Sequence, residues 1–150
     1  MFIGAAYIPP ECRQTCEYHP SFADLSVGFV FLCDFNQPEI VWTSSGHRYA
    51  FPDPLSTTIP ASRLFLDGIA FRGLSQISLI SNHHARFLDM VFVNDTLFSN
   101  CHVTKVPDAF VLIDSFHPAV EISIAASVPV NSDAIQCVIA AVFSGTNRRF

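Results

Sequence analysis

The apolar residues of this chain fall in short runs, and polar or turn-forming residues close them. Residues 26–33 stop at Asp34-Phe35-Asn36, residues 87–93 at Asn94-Asp95, and residues 110–113 at Asp114. Short apolar runs bounded this way predict buried strands. None reaches the ~18 residues of a membrane span. Further strands are predicted at 2–8 (stopped by Pro9-Pro10), 77–80 and 120–126, with an edge strand at 102–106 and a last apolar stretch at 136–143. The segment 37–60 holds Gly46, Pro52, Pro54 and Pro60 among many Ser and Thr, and is expected to be mostly loop. Residues 62–72 space Leu64, Phe65, Ile69 and Ala70 as a helix does, and Gly73 is placed to end it. Residues 11–24 suit a helix or a loop. Strands with one or two helices between them predict the α/β class. The expectation is one domain over 1–143 and a polar tail over 144–150.

Half of the 150 residues are hydrophobic and only 14% are charged, below the typical quarter. Such a chain buries a core, and its low charge suggests that a partner or the rest of a larger domain covers apolar surface. Net charge is -5, and the only lysine is Lys105. This argues against a protein held on nucleic acid mainly by a basic surface. It leaves open a nuclease whose cation neutralises phosphate at the site itself. The five cysteines form no paired ligand framework, and Cys12-x-x-x-Cys16 has only a nearby His19. Free thiols, no signal peptide and no membrane span together predict an intracellular protein, nuclear or cytoplasmic.

Several polar residues fall just after predicted strands, where α/β sheets commonly place ligands. Asp34 and Asn36 flank Phe35, and in an extended chain they point to one side. An Asp there can hold a water and an Asn can donate to a phosphate oxygen, or the pair is an Asx turn. Asp89 opens a strand with Arg86 three residues before it. It either fixes a histidine tautomer or pairs with Arg86. His117, followed by Pro118, suits a base or phosphate ligand, or is a turn histidine. His83-His84 looks like a ligand pair, but adjacent residues rarely face one metal.

The order of these motifs resembles the endonuclease/exonuclease/phosphatase superfamily, and within it the apurinic-endonuclease-like domain of non-LTR retrotransposons. The residues that carry the resemblance are Cys33-Asp34-Phe35-Asn36, Arg86-Phe87-Leu88-Asp89 and Asp114-Ser115-Phe116-His117-Pro118. Ala6-Tyr7-Ile8-Pro9-Pro10, Gly73-Leu74-Ser75-Gln76 and Asn82 add further landmarks, and the likeness runs over about residues 2–124. It implies a DNase I-like four-layer α/β sandwich that nicks DNA by hydrolysis with Mg2+. Tyr7 and Asn82 would contact substrate. Asp34 would activate water, Asn36 would bind phosphate, Asp89 would pair with His117, and Asp114 would assist the metal.

The chain departs from that pattern. Cys33 replaces a Gly, and Phe116 stands where an Asp commonly precedes the His. The family's early Asn and metal-binding Glu match no motif here, so the chain is expected to be the C-terminal half of the sandwich, from a longer polyprotein. The resulting expectation is a truncated endonuclease domain acting on DNA. The alternatives are an inactive pseudo-nuclease remnant that binds a partner, or a phosphatase of small phosphoesters.

Overall fold

The computed structural model describes residues 2–7, 28–44, 49–52, 58–106, 117–125 and 136–141. Strands β1 (Phe2–Tyr7), β2 (Phe29–Asp34), β3 (Trp42–Ser44) and β4 (Ala50–Pro52) precede helix α1 (Pro60–Phe71). Strands β5 (Leu74–Gln76) and β6 (Asp89–Asn94), helix α2 (Asp95–Phe98), and strands β7 (Cys101–Lys105), β8 (Val120–Ala125) and β9 (Gln136–Ala141) follow. Six strands form a mixed sheet in the order β1-β2-β6-β5-β4-β3, with β1 parallel to β2 and the other pairs antiparallel. The remaining three form an antiparallel sheet, β7-β8-β9. The chain is thus a mixed α/β protein with a mostly sheet core.

The central strands β2 and β6 are apolar between their polar ends because both faces of the large sheet are covered. Alternation sends successive residues to opposite faces. On one face Phe29, Phe35, Met90 and Phe92 pack with Trp42, Leu74 and Phe65 of α1. The phenylalanines meet edge-on or tilted: Phe35 lies 4.7 Å from Phe65 and 5.4 Å from Phe92, centroid to centroid. On the other face Val30, Leu32, Val91 and Val93 pack against Ile122 and Ile124 of β8, with Leu97 and Cys101. A helix, the six-stranded sheet and the three-stranded sheet therefore lie in layers.

Gly28 is where α2 closes on β2. A Cβ there would lie 2.7 Å from Leu97 Cγ, inside van der Waals contact. Gly73, at φ 60°, ends α1 as expected, and its N–H donates to Ala70 O at 3.0 Å.

The structure adjusts several expectations. The segment 37–60 is mostly loop among its described residues, as expected, but it also holds two short strands, β3 and β4, paired as a hairpin from Trp42↔Pro52 to Ser44↔Ala50. Its prolines hid the strands, yet Pro52 sits at a strand end, where it is tolerated. The strand placed at 77–80 lies earlier, at Leu74–Gln76, because Gly73 turns the chain from helix directly into strand. Helix α2 follows Asn94 with no turn residue between them. The predicted helix starts two residues earlier, at Pro60, whose fixed φ suits a first turn. Strand β7 is an edge, as expected. The expectations for residues 11–24 and 110–113 and for the tail lie outside the described residues. No helix among the described residues is long and apolar enough to cross a membrane.

Candidate active site

Asp34 is the last residue of β2 and Asp89 the first of β6, and the two are register partners. The Phe35 N–H donates to Leu88 O at 3.1 Å. That makes Phe35/Leu88 a hydrogen-bonded pair and the adjacent Asp34/Asp89 a non-hydrogen-bonded one, the kind whose side chains stand closest. By alternation both acids share the face of Val30, Leu32, Val91 and Val93, at the mouth of the gap between the two sheets. Both are buried, at 2% and 4% exposure.

His117 reaches the pair from the other sheet, three residues before β8. Its Nδ1 lies 3.2 Å from Asp89 Oδ1 and 3.1 Å from Oδ2. An ionised carboxylate only accepts, so Nδ1 carries the hydrogen and donates it. In the neutral ring this leaves Nε2 as the acceptor, 3.9 Å from Asp34 Oδ2 and beyond hydrogen-bond length. One ligand atom from each of Asp34, Asp89 and His117 lies within 4.8 Å of the others.

Asn36 holds Asp34. Its backbone N–H donates to Asp34 Oδ1 at 3.1 Å and its Nδ2 to Oδ2 at 3.0 Å. The two side chains do converge, but through a turn and not through extended chain, since Asn36 sits at φ 48°. The Asx turn and the polar pair are one structure. Burial raises the Asp34 pKa from 3.8 to about 6, and the Asp89 charge adds to the rise. His117 and the two Asn36 hydrogen bonds oppose it. A carboxyl that ionises near 6 is poised to exchange a proton close to neutral pH.

The other sequence candidates fall differently. Tyr7 is the register partner of Asp34 across β1 and β2, so the backbone brings it to the same end of the sheet. Asn82 is buried and organises its own turn: its Oδ1 accepts the N–H groups of His84 and Arg86, both at 3.0 Å. Its buried Nδ2 has no hydrogen-bond partner among the described residues. Asp114 lies outside the described residues. His83 and His84 are exposed, with rings 3.7 Å apart, and neither joins the acid–histidine cluster. Arg86 does not pair with Asp89; its Nη1 donates to Pro38 O at 2.7 Å.

Sequence reasoning missed the residues that support the turn after Asp34. Ser62 Oγ lies 3.0 Å from Gln37 Oε1 and 2.6 Å from Glu39 Oε1, tying that turn to the start of α1. The signal was the pair Gln37 and Glu39 on either side of Pro38, immediately after Asn36. Compared with family models, curated proteins and solved structures, the chain gives no match.

Proposed function

We propose that Asp34, Asn36, Asp89 and His117 are the hydrolytic centre of a metal-dependent phosphodiesterase that nicks DNA, on a partial DNase I-like sandwich of the retrotransposon endonuclease type. One observation carries the reading. Two buried carboxylates face each other across paired strands, and a histidine from the second sheet is held by one and turned toward the other.

Each residue has a task. Asp89 fixes the His117 tautomer and stabilises the imidazolium. His117, as that imidazolium, faces the space beside Asp34 with Nε2 and gives its proton to the leaving 3′ oxygen as the bond to phosphorus breaks and the attacking water forms the new one. Asp34 orients that water and accepts its proton, and Asn36 keeps the carboxylate aimed. The resemblance assigns substrate contact to Tyr7, whose backbone ends β1 beside Asp34, and to Asn82, which organises the turn before β6.

The donor set fits a hard cation in part. Mg2+ takes oxygen ligands, and one or two carboxylates with waters and substrate phosphate oxygens suffice. Asp34 and Asp89 already accept hydrogen bonds from Asn36 and His117, and each carboxylate would offer a remaining lone pair. Asp114 and a Glu from a longer polyprotein would complete the shell. When bound, the metal stabilises charge on the phosphate and the leaving oxygen.

The reading is tested with purified protein and supercoiled plasmid. Nicked circles should form with Mg2+ and cease with a chelator, and their ends should be 3′ hydroxyls that a polymerase extends. Intact plasmid at every metal concentration would leave the chain as an inactive remnant.

A further inference from the structure

Two tight turns meet at the acid end of the large sheet. One follows β2 and carries Asn36 at φ 48°; the other precedes β6 and carries Ala85 at φ 56°. Among the described residues these are the two non-glycine residues with positive φ. Such backbone persists only where its surroundings hold it. Asn82 holds the second turn through its side chain and through backbone bonds: its N–H donates to Arg86 O at 2.8 Å, and the Ala85 N–H to Asn82 O at 3.0 Å. The first turn is fastened at Phe35 by the sheet and at Gln37 and Glu39 by Ser62. Its far side is fastened by Arg86, whose Nη1 donates to Pro38 O at 2.7 Å. Arg86 thus joins the turn that presents Asp34 and Asn36 to the strand that presents Asp89.

We infer that Arg86 is a positioning residue for the acid–histidine centre, holding the 34–40 turn so that Asn36 keeps both hydrogen bonds to Asp34. The inference takes Asp34, Asp89 and His117 as the reactive group proposed above. The Asp34 carboxylate is aimed by two bonds from one residue, and that residue sits in strained backbone. Releasing the turn at Pro38 lets Asn36 relax out of the left-handed region and gives up both bonds together. The strand pairing and the Ser62 contacts remain, so the fold survives the release.

Amide hydrogen exchange tests this on the whole chain. The Asn36 N–H is the donor to Asp34, and the Ile77 N–H, bonded to Val91 O at 2.9 Å, reports the same sheet away from the turn. Arg86→Ala should speed Asn36 exchange by at least about tenfold relative to Ile77. Arg86→Lys keeps a cationic donor without the rigid fork and should recover part of the protection. Equal acceleration at both amides would show a general loss of stability, and no change at Asn36 would show that Arg86 does not hold the turn. Either result overturns the inference. So does a loss of nicking in Arg86→Ala with Asn36 exchange unchanged, which would make Arg86 a substrate contact. Exchange is read without any nuclease activity, so a protein that nicks no DNA would count against the proposed function and leave this measurement intact.

Discussion

His117 Nδ1 lies 3.1 Å from Asp89 Oδ2, while its Nε2 lies 3.9 Å from Asp34 Oδ2. One imidazole therefore spans two carboxylates that oppose each other across β2 and β6. The first contact fixes the tautomer, and the second leaves a gap facing the Asp34 carboxylate. The function proposed for the chain depends on that asymmetry.

Asp89→Asn should therefore harm chemistry more than folding. The amide can donate to Nδ1 and so favours the wrong tautomer. Loss of such a partner in a carboxylate–histidine pair costs up to roughly 10⁴ in turnover. The expected outcome is a fall in nicking rate of at least about a hundredfold with the melting temperature little changed, read by plasmid relaxation and circular dichroism.

Asp34 makes stability depend on pH. Its folded pKa, about 6, lies above its ordinary 3.8. Between those values the folded chain keeps a proton that the unfolded chain has released. The contribution of this group is thus most favourable below pH 4 and is lost as pH rises through 6, by roughly 3 kcal/mol at most. Urea midpoints of wild type should fall across that window relative to those of Asp34→Asn. Parallel profiles for the two proteins would contradict the assignment.

Gly28 and Leu97 should be coupled. A methyl at residue 28 meets Leu97 Cγ at 2.7 Å, so Gly28→Ala should cost about 1–3 kcal/mol as overpacking. Leu97→Ala alone should cost about 2–5 kcal/mol through the cavity it leaves. In the double variant the new methyl sits where the leucine was, and the total should fall short of the sum. Denaturant unfolding of the four proteins checks this.

Much of the fold was legible because both faces of the central strands are buried. Continuous apolar runs such as Phe29–Asp34 and Asp89–Asn94 admit few other readings, and Gly73 marked the end of α1. The β3–β4 hairpin was hidden by its prolines and by the shortness of its strands. Asp34, Asn36, Asp89 and His117 could be picked out individually because each borders an apolar run. Their mutual geometry could not, since the Asp34↔Asp89 register is a long-range property of strand pairing. The contact of Arg86 with Pro38 O was invisible for a similar reason: the nearest acid in sequence, Asp89, is taken by His117, and a backbone carbonyl carries no sequence signature.

The central claim is that hydrolysis runs through Asp34 and His117, and a comparison of single variants at matched folding tests it most directly. Asp34→Ala and His117→Ala would be assayed for Mg2+-dependent plasmid nicking beside Leu64→Ala, a change on the exposed face of α1. The account predicts nicking by wild type and by Leu64→Ala, and loss of at least about a hundredfold in each site variant. Nicking that survives in both site variants would contradict it.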